Sequence, residues 1–157
     1  MYAWDRAEWS GHRAFTAEAL DKALAMKPGE VADGGRIDAG IRAVRKLYGS
    51  QGYVAQKASY EPKTDAASGR VVFAIKVEEG PQYRMGTLAF EGIRDADAAT
   101  LHRKWTLKTG DVYDEEYEAR YLREEIFPLK TTSGGRGSLA KRVDPATQTV
   151  DVKIVFK

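Results

Sequence analysis

Residues 71–92 read V-V-F-A-I-K-V-E-E-G-P-Q-Y-R-M-G-T-L-A-F-E-G, and they hold two strand-like runs, Val71 to Glu78 and Tyr83 to Phe90. Glu79-Gly80-Pro81 joins them. A join this short suggests a hairpin. The competing reading closes one domain at Glu79 and opens another at Gln82, and the rest of the chain decides between the two.

Upstream, Arg70 to Glu78 places Val71, Phe73, Ile75 and Val77 on one face, while Val72 and Ala74 make the other face half apolar. A run greasy on both faces belongs in the middle of a sheet. Before it, Tyr53 to Tyr60 reads as a weaker strand and Lys63 to Gly69 as a polar turn. A helix is expected from about Ile37 to about Tyr48: Ile37, Ile41, Val44, Leu47 and Tyr48 form a stripe at helical period, with Arg36, Arg42, Arg45 and Lys46 off it. Gly49 and Gly52 close that helix. Thr16 is placed to cap an earlier helix carrying Leu20, Ala23 and Leu24 inward. Lys27-Pro28-Gly29-Glu30 ends it, since Pro28 cannot continue a helix and Gly29 tolerates positive φ. Tyr2 to Trp9, aromatic and alternating, reads as a first strand. The order is β-α-α-β-β.

The second half repeats this order at an offset of 81. Tyr2 meets Tyr83, Trp9 meets Phe90, Gly11 meets Gly92, Arg13 meets Arg94, Leu20 meets Leu101 and Leu24 meets Trp105. Lys27-x-Gly29-Glu30-Val31-x-Asp33 meets Lys108-x-Gly110-Asp111-Val112-x-Asp114. The register runs ungapped and keeps both glycines and apolar positions, which marks an internal repeat. The copy then drifts. Its second helix, Glu115 to about Phe127, needs a one-residue slip, Pro128 ends it, and Thr131 to Gly137 is a glycine-rich loop. A closing hairpin follows, Ser138 to Val143 and Gln148 to Phe156 around Asp144-Pro145-Ala146-Thr147. The repeat favours division: modules at 1–80 and 81–157, with Glu79, Gly80 and Pro81 as the joint. Phe73 and Phe90 should then lie in separate cores, and the strands flanking the joint should not pair.

The totals narrow the function classes. Lys and Arg number 25 against 23 Asp and Glu, a formal charge of +2, and neither half concentrates it. Such a surface does not point to a polyanion partner, so nucleic acid is not expected. There is no cysteine, which removes disulfide and thiol chemistry. No apolar run approaches the roughly 20 residues of a membrane-spanning helix.

The aromatic-plus-glycine strand ends (Trp9-Ser10-Gly11, Phe90-Glu91-Gly92) and the leucine helix running into Lys-x-Gly-acidic resemble a POTRA domain. This is the polypeptide-transport-associated module of Omp85-type outer-membrane assembly and translocation proteins. More specific still are Leu47-Tyr48-Gly49-Ser50-Gln51-Gly52-Tyr53 and Val77-Glu78-Glu79-Gly80-Pro81. The second module lacks a counterpart of the first of these. The resemblance implies an α+β fold of two consecutive β-α-α-β-β modules, each a three-stranded mixed sheet covered on one face by two antiparallel helices. It implies a non-catalytic, chaperone-like scaffold without cofactor, at the periplasmic face of an outer membrane of Gram-negative type. Its partners would be unfolded or nascent outer-membrane polypeptides and periplasmic accessory proteins. Membrane contact would come only through a barrel outside these residues. The nearest alternative is the periplasmic part of a two-partner-secretion transporter recognising a secreted polypeptide. A small α+β enzyme or an RNA-binding module is more remote.

The resemblance also implies a frequent mode of partner binding in such modules, strand addition at an exposed sheet edge. The second strand of each module is the poorer in large apolar residues and so the expected edge. Val54, Ala55, Gln56, Lys57, Ala58 and Ser59 are the candidate augmentation site. The competing reading is a solvated edge, with Lys57 there to discourage pairing. Gly49-Ser50-Gln51-Gly52 has the GxxG form of a nucleic-acid loop but lacks the helix that should follow it. Gly134-Gly135-Arg136-Gly137 reads as an ordinary loop rather than an RGG element. His12 and His102 sit in different repeats, so no metal site is expected. Glu115-Glu116 and Glu124-Glu125 read as a solvated helix face. No nucleophile stands beside a base.

Overall fold

The computed structural model describes residues 1–130 and 135–157. The expected glycine-rich loop at Thr131 to Gly137 lies outside the described residues at 131–134, while Gly137 opens a strand. The chain divides into two compact units, residues 1–49 with 55–80, and residues 50–54 with 81–157.

In the first unit, β1 (Ala3–Ser10) is followed by α1 (Ala17–Leu24), α2 (Gly34–Gly49), β2 (Lys57–Asp65) and β3 (Arg70–Glu78). The sheet order is β1-β3-β2, β1 parallel to β3 and β2 antiparallel to it. The central place expected of Val71–Glu78 is thus observed. Val71, Phe73, Ile75 and Val77 are buried with Leu20, Leu24, Ile37, Val44 and Tyr48, and Trp4 stacks on Phe73 with ring centroids 5.2 Å apart. Val72 and Ala74, on the opposite face, are only half-buried. At Gly40 a Cβ would crowd Leu24, so this glycine lets α2 close on the end of α1.

Thr16 caps α1 as expected, its hydroxyl accepting the Ala19 N–H. The helix stops at Leu24, however, well before Pro28. Ala25 takes the left-handed conformation at φ 60 and donates its N–H to the Asp21 carbonyl. Gly29, at φ 90, serves a different purpose: its N–H bonds the Trp4 carbonyl at 2.8 Å, and Trp4 N–H bonds the Glu30 carbonyl at 2.7 Å. The Lys-x-Gly-acidic motif therefore lies along the outer edge of β1.

The second unit repeats the plan. β4 (Arg84–Glu91), α3 (Asp95–Lys104), α4 (Glu115–Tyr121) running into a π-helical turn (Leu122–Ile126), β5 (Gly137–Asp144) and β6 (Thr149–Phe156) give a sheet ordered β4-β6-β5. β3 and β4 belong to different sheets, so the hairpin reading of Val71–Gly92 is rejected. Phe90 packs on a core built from Trp105, Tyr113, Tyr121, Ile126, Val152 and Ile154, apart from Phe73. The edge motif acts as before: Gly110 N–H bonds the Met85 carbonyl and Met85 N–H the Asp111 carbonyl, each at 2.8 Å. Both first strands break register at repeat-equivalent points, beside Asp5 in β1 and beside Gly86 in β4.

Gly11 and Gly92 both sit at φ 81, and a Cβ on either would collide with a main-chain carbonyl, Val77 in one unit and Phe156 in the other. Gly110, at φ 93, has open space around it. Gly92→Ala is expected to cost the second unit about 3 kcal/mol, strain plus collision. Gly110→Ala should cost only about 1 kcal/mol. Urea unfolding followed by the Trp105 indole NMR signal compares them, and equal losses would remove the role given to the Phe156 carbonyl.

Candidate functional site: an open sheet edge and a carboxylate clasp

The two edges of each sheet are unlike. The β1 edge is closed by residues 29–32, with Ala32 N–H bonding the Tyr2 carbonyl at 3.0 Å in addition to the bonds above. The β4 edge is closed in the same way, Tyr113 N–H bonding the Tyr83 carbonyl at 3.0 Å. Along β2 and β5, no strand pairs on the outer side among the described residues. The Lys-x-Gly-acidic spacing, legible as a repeat, gave no sign that it was an edge seal.

The candidate augmentation stretch is divided by the structure. Lys57, Ala58 and Ser59 open β2, whereas Val54 and Ala55 form a turn and Gln56 is a buried, non-strand residue leading into the strand. The strand thus begins at Lys57 rather than Tyr53, and it runs on to Asp65. The physical reason lies in the preceding turn. Gly52 takes φ 87, its carbonyl accepts the Tyr83 N–H at 2.8 Å, and residues 50–54 join the second unit, where Val54 packs on the core. Gly49–Gly52 is a helix-end turn with no helix after it, unlike a nucleic-acid GxxG loop.

Pro62 lies within β2, opposite Phe73. It has no N–H, so in an intact ladder it occupies a position whose main-chain groups face away from β3. By alternation, Ala58 and Tyr60 also turn their N–H and C=O groups outward. Their side chains meanwhile half-bury on the inner face, and the Tyr60 hydroxyl donates to Asp38 Oδ1 at 2.8 Å. That hydrogen bond, with slight burial and the Asp38 charge, pushes the Tyr60 hydroxyl above its ordinary pKa.

At the joint, Glu79 is bound back into the first unit. Its Oε2 accepts the N–H groups of Arg13 and Ala14 and the hydroxyl of Tyr48, each at 2.8 Å. Phe15 packs edge-on against Tyr48, with centroids 4.9 Å apart. Burial pushes the Glu79 carboxyl up, but the two N–H groups and the Tyr48 hydroxyl, with the Arg13 charge, outweigh it and hold it below its ordinary value of 4.5. Gly80 follows at φ 68. The Glu-Gly-Pro motif announced a joint, but the contacts of Glu79 were not readable from it.

Other polar groups are structural. The Tyr113 hydroxyl donates to Glu118 Oε1 at 2.6 Å, and Lys141 Nζ reaches Glu118 at 2.9 Å and Glu115 at 3.2 Å. Burial, then the Glu118 hydrogen bond, pushes the Tyr113 pKa far up, so the hydroxyl stays a neutral donor and no nucleophile. Glu115 thus ties α4 to β5, and Glu125 pairs with Lys104 at 2.9 Å, where a solvated face was expected. Of the Gly134–Gly137 segment, Gly134 is outside the described residues, and Arg136 exchanges main-chain hydrogen bonds with Lys157 at 2.8 and 3.1 Å. Among the described residues no group of His, Asp or Glu could hold a metal.

Set beside known proteins, residues 2–80 match the POTRA family, described as surface antigen variable number repeat. The chain belongs to the POTRA family. A relative from Treponema pallidum (strain Nichols), whose name describes an outer membrane protein assembly factor, is 25% identical over 146 residues, 93% of this chain and 17% of that protein. The chain therefore spans about a sixth of that relative's length. Among solved structures, POTRA domains 3–5 of BamA from Haemophilus influenzae superpose with a TM-score of 0.74 at 16% identity, covering 99% of this chain and 66% of that one. POTRA domains 1–2 of Omp85 from Anabaena give 0.58 at 10% identity, covering 99% and 95%. These likenesses establish the fold, and the tandem POTRA architecture agrees with the β-α-α-β-β repeat.

Glu79→Gln is expected to destabilise the first unit by about 1–2 kcal/mol at neutral pH, since a charge-assisted acceptor of three bonds becomes a neutral one. The folded carboxyl titrates below 4.5, so its contribution is complete above that value and is lost as pH falls through the lowered folded value. The gap between wild type and variant in urea unfolding should therefore hold from about pH 7 to pH 5 and shrink on further acidification. A gap that stays constant to about pH 3 would deny the carboxylate this role.

Proposed function

We propose that this chain is a non-catalytic protein-binding scaffold at the periplasmic face of an outer membrane, acting in outer-membrane protein assembly. In this reading it holds nascent or unfolded polypeptides by adding their strands to the open edge of β2. The observation that carries the reading is the inequality of the edges: one is sealed by the chain's own loop, and the other keeps outward main-chain groups at Ala58 and Tyr60. POTRA membership and the Treponema pallidum relative's name support the setting. Edge addition binds the backbone and reads few side chains, which suits clients of varied sequence but common β character.

The usable stretch narrows to Lys57–Glu61, because Pro62 offers no donor to a strand continuing past it. Lys57, Ser59 and Glu61 are exposed along it. At the joint, the clasp holds Glu79 within the first unit, and Gly80 follows it at φ 68.

Titrating a labelled chain with a peptide from an outer-membrane β-strand should shift the amides of Ala58 and Tyr60 most. Ala58→Pro removes one outward N–H while leaving the ladder to β3 intact, and should weaken binding about fivefold, the worth of one hydrogen bond. Binding that leaves the Lys57–Glu61 amides unshifted in the wild type would overturn the edge assignment, whatever the proline variant does.

A further inference from the structure

In both units a loop seals the outer edge of the first strand with the same main-chain bonds. Trp4 N–H meets the Glu30 carbonyl, Gly29 N–H the Trp4 carbonyl and Ala32 N–H the Tyr2 carbonyl, and Met85, Gly110 and Tyr113 repeat the pattern. The side chains that reinforce the seal differ. In the second unit Arg84 Nη1 donates to the Gly110 carbonyl at 2.9 Å and Thr109 Oγ1 to the Gly86 carbonyl at 2.7 Å, each tying loop to strand. Tyr113 is wholly buried, and its hydroxyl bond to Glu118 fastens the loop to α4. The repeat puts Ala3, Pro28 and Ala32 at these three places, and none of their side chains can donate a hydrogen bond. The first loop has instead the Glu30–Arg36 ion pair at 2.8 Å. Arg36 lies on α2, so that pair holds the loop to the helix and not to β1, and with both side chains partly in solvent it contributes little.

Lifting the first loop frees the Tyr2 carbonyl and both main-chain groups of Trp4. The edge continues beyond them. Past the extra residue at Asp5, Ala7 and Trp9 pair with Phe73 and Ile75 and so share the inner face with Trp4. Face and strand direction together fix which way the main-chain groups point, so those of Ala7 and Trp9 also turn to the outer side. No strand pairs there among the described residues. Ala7 and Trp9 are half-buried, whereas Arg6, Glu8 and Ser10 are exposed. A strand laid along this edge therefore meets an apolar row on one face and a polar row on the other.

We propose that residues 29–32 are a displaceable latch, and that an extended polypeptide of alternating apolar and polar residues replaces them on β1, running on past Trp4 to Trp9. Such a strand competes by length, since it adds the groups of Ala7 and Trp9 to the bonds that the loop already makes. The reinforced loop of the second unit stays closed, so only the first unit has two usable edges. This inference rests on the reading that the chain holds extended polypeptides, but it concerns the edge opposite β2.

Native-state hydrogen exchange on the full chain reads the latch with no client present. Corrected for intrinsic rates, the Trp4 and Ala32 amides should exchange about a hundredfold faster than those of Met85 and Tyr113, three hydrogen bonds at about fivefold each. Equal protection of the two pairs would overturn the proposal. With an outer-membrane β-strand peptide added, shifts are expected at Trp4, Ala7, Trp9 and Ala32 as well as at the β2 edge. Ala3 and Val31 face each other antiparallel at a position without mutual hydrogen bonds, a spacing that a disulfide accepts, and the chain has no cysteine of its own. Ala3→Cys combined with Val31→Cys should, when oxidised, remove the β1-edge shifts and keep those at Ala58 and Tyr60, and reduction should restore the full set. Wild-type shifts at Ala58 and Tyr60 alone would overturn the β1 site while leaving strand addition at β2 intact. A peptide that shifts neither edge would overturn both, and β1-edge binding that survives oxidation would deny the loop its part as a latch.

Discussion

In each unit the chain leaving the first strand passes so close to the carbonyl at the end of the central strand that no Cβ fits between them. The crossing fixes where the first helix begins relative to the sheet, and hence which face the helices cover. In the first unit the Arg13 and Ala14 N–H groups that follow this crossing meet the Glu79 carboxylate, just beyond the central strand. A positive φ and a close main-chain approach are imposed together, and only glycine tolerates both. That double demand explains why Trp9-Ser10-Gly11 and Phe90-Glu91-Gly92 stay alike while the second helices drift apart.

How much of this was legible depends on the range of the interaction. Alternation in Val71, Phe73, Ile75 and Val77 and the helical stripe from Ile37 to Tyr48 reflect burial on one face, and both gave their elements to within a few residues. The repeat exposed the module boundary, because the Gly11/Gly92 and Gly29/Gly110 pairs keep their spacing. The misses came from long-range partners. Pro28 seemed to end α1, yet the chain turns at Ala25 because Gly29 and Glu30 are needed on the edge of β1. Tyr53 to Gln56 looked like strand, but the Gly52 carbonyl bonds Tyr83, thirty-one positions along, and no local pattern encodes that bond. Glu115 looked solvated until Lys141 on β5 was placed beside it.

The polar groups follow the same logic of local need. Glu79 remains ionised because donors surround it, and Tyr113 remains neutral because burial and a carboxylate acceptor both oppose its ionisation. Neither arrangement leaves a group poised near neutral pH to trade protons, which is what general acid–base work requires. Each of these side chains fastens one element to another: Glu79 holds the end of β3 to the loop after β1, and Tyr113 with Glu118 and Lys141 holds α4 to β5.

On the proposed role, the shortness of the open edge sets the strength of binding. Outward groups at Ala58 and Tyr60 offer a client about four main-chain hydrogen bonds, each worth about 1 kcal/mol net. Ordering the client backbone costs about 1–2 kcal/mol per residue, so a five-residue strand gains little beyond what its apolar side chains bury. In the proposed role, one edge would therefore hold a client weakly and release it readily. Useful affinity would come from a second contact on the same client, for which the outer side of β5 is the candidate. Linking weak sites in one chain raises the effective concentration at the second without making any one contact slow to break. Repeating a small module achieves this where enlarging a single edge would not, because a longer unpaired strand would also pair with its own copies.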